Sequence, residues 1–285
     1  MDIIRDIPTL RARVRAFRAA GERVALVPTM GALHAGHLPL VAAGKAGADR
    51  VIASIFVNPR QFGAGEDLAR YPRQEADDAR MLADARCDLL FAPAVETVYP
   101  PGFATTVHVD GLAQPLEGAA RPGHFDGVAT VVLKLLLMAT PDLALFGEKD
   151  WQQLQLLRRM VADLDLAVEI VGVPTVRDAD GLALSSRNAY LSAAERVAAA
   201  VLPQTLRAAA AALGQGAAPG PTLSDAGAAL RAAGFTLDYL ALADGETLAP
   251  LDRPRPGARL FAAARLGATR LIDNLPVPPA GAGPE

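Results

Sequence analysis

The chain has 285 residues, 51% of them hydrophobic, which is enough for one or two domains with large buried cores. Its 28 basic and 31 acidic residues leave a net charge of −3. That balance argues against general binding to nucleic acid or to a membrane surface, so any anion site must be local. A single cysteine, Cys87, excludes an internal disulfide and argues against a thiolate metal site. We expect it to be a buried, unreactive residue in a cytoplasmic protein.

The N-terminal segment is rich in arginine but contains Asp2 and Asp6 and lacks an apolar core. It therefore predicts a surface helix rather than a signal peptide. The most apolar stretch, from Gly127 to Thr140, is too short to span a bilayer and carries Lys134. It predicts a core helix.

Up to about residue 175, short apolar runs alternate with longer segments of helical spacing, such as residues 74–85 and 151–163. The short runs predict buried parallel strands, and their alternation with helices is typical of a doubly wound α/β sheet. The strand-like runs are RVALVP, RVIASIFV, CDLLFAP, PDLALF and LAVEIVGVP.

Beyond residue 175 the pattern changes to helices followed by strands. Residues 192–213 predict one helix that opens with a capping box of Ser192 and Glu195. Another helix and three strand-like runs follow, FTLDYLALAD, ARLFAAARLG and ATRLIDNL. We therefore predict a Rossmann-like, doubly wound parallel-sheet domain over residues 1–175 and a smaller α+β domain over residues 176–285. The final run, PVPPAGAGPE, predicts a frayed tail.

The stretch VPTMGALHAGHLPLV, residues 27–41, places two of the chain's four histidines three residues apart. A predicted strand precedes it, and Gly36 and His37 begin a segment of amphipathic helical spacing. Ligands of open α/β sheets bind beyond the carboxyl ends of strands, where a helix N-terminus suits phosphate. Gly31 and Gly36 allow close approach of the backbone, and His34 and His37 direct two imidazoles to the same place.

Three uses of this stretch stay open from the residues alone. Nucleotide binding is one, although the chain has no Walker A motif and no G-x-G-x-x-G, so the site is neither a P-loop nor a dinucleotide-binding turn. H-x-x-H spacing also suits a metal, but no cysteine is near, and His108 and His124 lie in remote segments. The third use is purely structural.

Two later loops favour the nucleotide interpretation. GEKD, residues 147–150, follows a predicted strand and carries an ammonium group that could neutralise phosphate. In DGLALSSRN, the hydroxyls of Ser185 and Ser186 and the guanidinium of Arg187 could bind phosphate oxygens. Taken singly, the first loop could be a solvated helix start and the second an ordinary turn, but three such loops in one chain favour a functional interpretation.

Together, H-x-G-H at a strand–helix turn and a later Ser-Ser-Arg loop resemble the nucleotidylyl-transferase superfamily, which shares its core with class I aminoacyl-tRNA synthetases. More narrowly, residues 24–192 resemble the pantothenate synthetase (pantoate–β-alanine ligase) family, and the rest of the chain resembles it in outline. The motifs that carry this resemblance are VPTMGALHAGH, SIFVNPRQF, RYPR, RPGHFDGVATVV, FGEKDWQQL and RDADGLALSSRNAYLS.

The resemblance implies a two-step reaction with ATP and Mg²⁺. In that family pantoate attacks the α-phosphate of ATP to give pantoyl adenylate and pyrophosphate, and β-alanine then displaces AMP to give pantothenate. A free carboxylate is a poor acyl donor, and AMP makes its oxygen a good leaving group. Because negative charge builds up at phosphorus, catalysis should consist mostly of positioning and electrostatics.

The resemblance assigns His34, His37, Lys149 and Arg187 to catalysis, with His37 as the proton donor. Lys149 should neutralise phosphate in the transition state. Since the later loop has one cation where tRNA synthetases tend to have two lysines, much of the remaining neutralisation falls to Arg187. The expected ATP-binding residues are Met30, Gly31, Ala32, Leu33, His34, Ala35, Gly36, His37, Gly147, Glu148, Lys149, Asp150, Val176, Leu184, Ser185, Ser186 and Arg187.

Gln61 and Gln153 match the family's pantoate ligands, and Asn58 is expected beside them. An amide suits a hydroxylated acid because it offers both a donor and an acceptor. The protein ligands of Mg²⁺ are left unknown. Asp77 and Asp78 are expected on a solvated helix face, with contact to the metal ion as the alternative.

The resemblance also implies small-molecule substrates as partners, no nucleic acid or membrane partner, and a homodimer built through the N-terminal domain. Arg121 and His124 are expected to order a loop or a subunit contact, and Trp151 to have no functional consequence. The second domain is expected to act as a lid hinged within the Gly/Asp-rich residues 174–181, shielding the adenylate from water.

Two other functions compete with the ligase. One is a nucleotidylyltransferase that transfers AMP or CMP to a phosphorylated acceptor and stops there; the other is a nucleotide-binding module without catalysis. The two glutamines and the intact GEKD and SSRN stretches favour the ligase over the transferase. All four expected catalytic residues are present, which argues against the module. A tRNA synthetase is disfavoured because neither an anticodon-binding domain nor a basic surface is evident.

Overall fold

Six parallel strands form the first sheet, whose order is β1-β4-β3-β2-β5-β6. The chain steps outward from β2 through β3 and β4 on one side and through β5 and β6 on the other, so the strand order reverses between β2 and β5. The loops after those two strands therefore leave the sheet at the position where open α/β sheets bind ligands. The strands are β1 (Asp2–Ile4), β2 (Val24–Thr29), β3 (Arg50–Ile55), β4 (Leu89–Phe91), β5 (Leu143–Gly147) and β6 (Glu169–Val173).

Helices connect these strands and bury the sheet. On one face Ala25 and Val27 pack with Leu40 and Val41 of α2, whereas Leu26 points to the other face by strand alternation and is also buried. Helices α1 and α6 pack against each other and against β2. The predicted Rossmann-like, doubly wound sheet is confirmed. The helices are α1 (Ile7–Ala19), α2 (Leu38–Gly47), α3 (Glu75–Asp84), α4 (Val95–Val98), α5 (Glu117–Ala120), α6 (His124–Ala139) and α7 (Trp151–Asp163).

The structure differs from the sequence prediction at the N-terminus, where a strand precedes the expected surface helix. β1 pairs with β4, and the main-chain N–H of Ala92 extends this pairing by donating to the oxygen of Ile4 at 2.9 Å. Three residues are too few to show a strand period, so the sequence pattern carries no signal for β1. The predicted core helix is α6, which is buried along most of its length.

The structure, a computed structural model, describes residues 1–278, and residues 279–285 lie outside the described part. Most of the predicted frayed tail, residues 276–285, falls there. The described residues of that tail do not fray, because Pro276 ends a strand, Val277 is buried and its N–H donates to the oxygen of Ala258 at 2.9 Å.

The second sheet is antiparallel with the order β7-β8-β9, and three helices accompany it. Leu202, Leu206, Leu230 and Leu260 lie at the centre of its core. This confirms the predicted α+β architecture, although the single helix expected over residues 192–213 is divided at Ala200. The elements are α8 (Ala193–Ala199), α9 (Val201–Gly214), α10 (Pro219–Ala232), β7 (Phe235–Asp244), β8 (Ala258–Leu266) and β9 (Thr269–Pro276).

Contacts within the chain divide it into two compact units. The first consists of Met1–Gln114, Arg121–Glu148 and Gln153–Pro174, and the second of Pro115–Ala120, Lys149–Gln152 and the chain from Thr175 onward. Two short segments thus join the second unit from within the first 175 residues.

Long-range contacts explain why these two segments belong to the second unit. Arg270 forms a bidentate ion pair with the buried carboxylate of Glu117 at 2.6 and 2.7 Å. The indole N–H of Trp151 donates to the oxygen of Gly245 at 2.5 Å, and the guanidinium of Arg259 lies 3.6 Å from the Trp151 ring centroid. Sequence spacing contains no trace of contacts that span so many residues.

Two further features bear on the expectations from composition. Taken together, α8 and α9 (Ala193–Gly214) are long and apolar enough to cross a membrane by length and composition, but half of their most apolar part is buried inside the fold, as in a core helix. Cys87 is buried, and burial raises the pKa of its thiol to about 11. The thiol therefore stays protonated and unreactive near neutral pH.

Candidate active site

The loop of residues 30–37 leaves the carboxyl end of β2 through a tight turn. Gly31 and Ala32 both adopt left-handed backbone conformations, with φ of 82° and 52°. A Cβ atom at residue 31 would lie 3.0 Å from both the carboxylate of Asp78 and the side chain of Ile55. Glycine is therefore needed at position 31 for two reasons, its backbone conformation and the space available.

Asp78 of α3 holds this turn in place. Its side chain is buried, and its two oxygens accept the main-chain N–H groups of Ala32 at 2.9 Å and Leu33 at 2.8 Å. The predicted solvated helix face is therefore wrong for Asp78. It holds for Asp77, which is exposed and pairs with Arg80.

The described residues 1–278 contain no group of three or more His, Cys, Asp or Glu side chains that could hold a metal ion. Asp78 uses both carboxylate oxygens to accept main-chain N–H groups, and Asp77 is engaged by an arginine. The acidic pair therefore does not fit a Mg²⁺ site built from protein side chains.

The two histidines cap the short 3₁₀ turn Ala35–His37 that precedes α2. The main-chain N–H of Gly36 donates to Nδ1 of His34 at 3.1 Å, and the main-chain N–H of His34 donates to Nδ1 of His37 at 3.2 Å. A main-chain N–H can only donate, so both Nδ1 atoms act as acceptors. The neutral imidazoles therefore carry their protons on Nε2, and their ring centroids lie 4.2 Å apart.

These contacts bear on how the loop can recognise an anion. The main-chain N–H groups of Gly31, Ala32, Leu33, His34 and Gly36, in the loop before α2, all donate within the protein. These five groups therefore do not form a nest of free backbone amides for an anion.

Asn58 and Gln61 lie on the loop that follows β3, the strand next to β2. Asn58 is buried, and its Nδ2 donates to Oε1 of Gln61 at 2.9 Å. Nε2 of Gln61 lies 3.2 Å from Sδ of Met30, the first residue of the histidine loop. The structure thus brings together an expected acid-binding residue and the expected nucleotide loop.

Arg121 and His124 order this second loop, one of the two roles expected for them. Nδ1 of His124 lies 2.8 Å from the main-chain oxygen of Gln61, and Arg121 donates to the carboxylate of Glu66 at 2.6 and 2.7 Å. Although burial raises the pKa of Glu66, the hydrogen bonds and charge of Arg121 lower it overall to about 2.

Helix α6 approaches the same loop closely at Gly127. A Cβ atom there would lie 2.3 Å from the main-chain oxygen of Arg60, so only glycine permits this approach. The oxygen of Gly127 accepts from Nδ2 of Asn58 at 3.1 Å. In the sequence Gly127 was no more than the first residue of an apolar run.

The 3₁₀ turn Glu148–Asp150 presents Lys149, the first residue of a segment of the second unit, at the start of α7. Nζ of Lys149 lies 3.8 Å from Oδ1 of Asp150, and the main-chain oxygen of Lys149 accepts from Nδ2 of Asn274 at 3.0 Å. Asn274 is buried and also accepts from Arg259, which stacks on Trp151. Trp151 therefore has a structural role beside Lys149, which no sequence pattern predicted.

Residues 176–184 form a hairpin, bridged between Arg177 and Ala183, that leads into the 3₁₀ turn Ser186–Tyr190. The main-chain N–H of Leu184 donates to the oxygen of Val176 at 2.9 Å, and Oγ of Ser185 accepts the N–H of Arg187 at 3.3 Å. The hairpin is fastened to β9 by Arg177, whose guanidinium contacts the buried carboxylate of Asp273 at 2.7 and 2.8 Å.

Comparison with known proteins places the chain in a family. The model of the family described as pantoate-β-alanine ligase matches residues 2–276. The chain belongs to the pantoate-β-alanine ligase family. It is 59% identical to the pantothenate synthetase of Rhizorhabdus wittichii and 58% identical to that of Sphingopyxis alaskensis, covering 98% and 97% of this chain and all of each relative.

Solved structures of the same family share its fold. The crystal structure of pantothenate synthetase from Thermus thermophilus superposes with a TM-score of 0.93 at 52% identity, covering 98% of this chain and all of that one. Pantoate-β-alanine ligase from Francisella tularensis, solved in complex with β,γ ATP and β-alanine, superposes with a TM-score of 0.83 at 34% identity, covering 96% of this chain and 97% of that one.

Within this ligase-family chain, each unit holds part of the residue set expected from the sequence. In the first unit, Met30, Asn58 and Gln61 are joined by direct contacts, and Gln153 is half-buried at the start of α7. In the second unit, Val176 and Leu184 share a hydrogen bond and Lys149 is held through Asn274. Tyr99, whose hydroxyl lies 2.8 Å from Oδ1 of Asn58, was missed from the sequence because it stands in no motif that suggested chemistry.

Proposed function

We propose that this protein condenses pantoate with β-alanine at the expense of ATP, through a pantoyl adenylate, to give pantothenate, AMP and pyrophosphate. It is then an AMP-forming pantoate–β-alanine ligase. The observation that carries the proposal is the contact between Gln61 and Met30, because it places an amide suited to a hydroxylated acid directly on the histidine loop. The family match over residues 2–276 supports it.

In the first step a carboxylate oxygen of pantoate attacks the α-phosphorus of ATP. A new O–P bond forms, the bond from the α-phosphorus to the bridging oxygen breaks, and that oxygen leaves with its electron pair as part of pyrophosphate. Positioning and charge stabilisation are what a protein can contribute to such a transfer. The product is a mixed anhydride whose carbonyl carbon is open to attack.

We assign the phosphates to the side chains of His34, His37, Lys149 and Arg187. The two imidazoles carry their protons on Nε2 and can donate hydrogen bonds to phosphoryl oxygens without changing tautomer. Lys149 and Arg187 add positive charge as pyrophosphate leaves. Ser185 and Ser186 complete this set with their hydroxyls, and the remaining residues expected to bind ATP are Met30, Gly31, Ala32, Leu33, Ala35, Gly36, Gly147, Glu148, Asp150, Val176 and Leu184.

In the second step the amine of β-alanine attacks the anhydride carbonyl. A C–N bond forms, the C–O bond to the phosphate breaks, AMP leaves with that oxygen, and the nitrogen releases a proton. We assign pantoate to Gln61 and Gln153, with Asn58 holding Gln61 in place. The amine must be deprotonated to react, so the step should slow as pH falls and more of the amine is protonated.

The nucleotide is proposed to bind as its Mg²⁺ complex, with the ion held by phosphate oxygens and water. This fits the lack of a metal-ligating cluster among residues 1–278. The family resemblance further supports a cytoplasmic homodimer. Light scattering on the purified protein would measure its mass in solution, and a monomer at the enzyme's working concentration would rule the dimer out.

The competing function is a nucleotidylyltransferase that stops after transferring the nucleotide to a phosphorylated acceptor. Pantoate labelled with ¹⁸O in both carboxylate oxygens separates the two. The ligase moves one label into AMP and leaves the other in the pantothenate carbonyl. Unlabelled AMP, or label in inorganic phosphate, would contradict the adenylate, and with no turnover of pantoate the phosphorylated acceptors become the substrates to test.

A further inference from the structure

The orientation of the buried amide of Asn58 is fixed by two main-chain groups. Its Oδ1 accepts the N–H of Arg60 at 3.3 Å, and its Nδ2 donates to the oxygen of Gly127 at 3.1 Å. A main-chain N–H can only donate and a main-chain oxygen can only accept. If the amide were turned over, its NH₂ group would face the N–H of Arg60 and its oxygen would face the oxygen of Gly127. Neither pair can form a hydrogen bond, so one orientation is strongly favoured.

This orientation determines whether two neighbours, Tyr99 and Gln61, donate or accept a hydrogen bond at Asn58. Tyr99 lies 2.8 Å from Oδ1 of Asn58, so its hydroxyl must donate. Burial raises the pKa of Tyr99 to about 12, which keeps that proton in place at neutral pH. On the other side, Nδ2 of Asn58 donates to Gln61 at 2.9 Å, so the atom of Gln61 that faces Asn58 is its oxygen, Oε1.

The amide of Gln61 is therefore oriented as well. With Oε1 committed to Asn58, the NH₂ group of Gln61 points the other way and lies 3.2 Å from Sδ of Met30. Gln61 is only half-buried, unlike Asn58, so this NH₂ group can meet a ligand. An amide can donate and accept hydrogen bonds, and these contacts leave the NH₂ donor of Gln61 for the substrate.

We propose that Tyr99 is a positioning residue that acts through Asn58 to make Gln61 a hydrogen-bond donor to an oxygen of pantoate. The proposal rests on the proposed function in one respect, the assignment of pantoate to Gln61. It adds that Gln61 only donates in this contact and that pantoate only accepts. An acid that offers an acceptor oxygen at this point is bound, and an analogue that offers only a donor there is rejected, because its donor would face the NH₂ group of Gln61.

The hydrogen bonds from Tyr99 to Asn58 and from Asn58 to Gln61 form a relay. Removing the Tyr99 hydroxyl is the mildest way to test it. Tyr99→Phe keeps the ring and its packing against Phe56 and Phe103, at centroid distances of 6.0 and 5.1 Å. We expect the KM for pantoate to rise about 5- to 20-fold, the range for a lost hydrogen bond at a positioned group, and the KM for ATP to stay within about twofold. Phe103→Leu is the matched control, because it disturbs the packing of Tyr99 and leaves the hydroxyl intact.

Equal increases in both KM values for Tyr99→Phe, no change in the KM for pantoate, or the same change in Phe103→Leu would each overturn the proposal. Reversing the donor gives a sharper test. Gln61→Glu can still accept from Asn58 but offers pantoate only an acceptor, so kcat/KM for pantoate should fall by at least about 100-fold. If kcat/KM for pantoate fell less in Gln61→Glu than in Gln61→Met, the proposal would also be overturned.

A readout independent of turnover separates this proposal from the proposed function. In protein carrying ¹⁵N in its glutamine side chains, the NH₂ resonances of Gln61, assigned by their loss in Gln61→Glu, should shift when pantoate is added. In Asn58→Asp, the side chain at residue 58 no longer donates, Gln61 should turn its NH₂ group toward it, and the shift should disappear. Pantoate binding without any shift would overturn the relay, whereas failure to bind pantoate at all would overturn the proposed function.

Discussion

The carboxylate of Asp78 accepts the main-chain N–H of Leu33 at 2.8 Å, across 45 residues of sequence. With the second bond, to Ala32, it holds the turn in which two consecutive residues are left-handed. The histidines follow this turn directly, so the position of their imidazoles depends on a buried carboxylate from another helix.

Asp78→Asn should weaken ATP binding. An asparagine side chain has one acceptor oxygen, so its NH₂ group must face one of the two main-chain N–H groups in a buried site. We expect the KM for ATP to rise about 10-fold and the melting temperature to fall by several degrees. Steady-state kinetics and thermal unfolding measure both.

Asp77→Asn is the control for that variant, because Asp77 is exposed and contacts Arg80 on the surface. We expect no change in the KM for ATP or in stability. If both variants instead raised the Mg²⁺ concentration needed for activity to the same extent, the acidic pair would be a metal site after all.

Lys149→Ala should lower the rate of adenylate formation by at least about 100-fold, as expected when a group that stabilises developing charge is lost. Its main chain is held through Asn274, so truncating the side chain should leave the turn folded. Single-turnover formation of pantoyl adenylate is the measurement, and Lys45→Ala, at a surface lysine that caps the oxygen of Arg86, is the control. Near-normal formation in Lys149→Ala would remove the residue from the mechanism.

Asp273→Asn should destabilise the second unit. Breaking the buried pair with Arg177 leaves a guanidinium without its counter-charge, and such losses cost about 3 kcal/mol. The exposed pair of Arg159 and Asp163 is the matched control, and Asp163→Asn should cost less than about 0.5 kcal/mol. Denaturant unfolding compares the two, and equal costs would show that burial of Asp273 does not matter.

The ion pair between Glu66 and Arg121 should make stability depend on pH in the acid range. The pKa of Glu66 is lowered from 4.5 to about 2. The pair therefore stabilises the folded state fully above pH 4.5, and this stabilisation is lost as pH falls toward about 2. Wild-type protein and Glu66→Gln should therefore differ in melting temperature above about pH 5 and converge near pH 2. A difference that stays constant over that range would contradict this role.

Local patterns in the sequence were sufficient for most of the fold. Apolar runs and helical segments predicted five of the six parallel strands and the three strands of the second sheet, because a buried strand or helix face leaves a regular spacing. β1 was missed since three residues have no spacing to read. The division of the helix at Ala200 was missed because the apolar pattern continues across it.

The site was predictable as a set of motifs but not as a set of contacts. His34, Lys149 and Arg187 stand in stretches that resemble a known family. Asp78 and Tyr99 do not reveal their roles, since each acts on a residue 41 or more positions away. The tautomers of the histidines were likewise open until the main-chain donors that face Nδ1 were known.

The most direct test of the proposed reaction is the exchange of labelled pyrophosphate into ATP with pantoate present and β-alanine absent. Reversible formation of pantoyl adenylate predicts exchange that depends on pantoate and needs no amine. Exchange that is missing under these conditions, in protein shown to bind both ATP and pantoate, would contradict the adenylate and with it the proposed reaction.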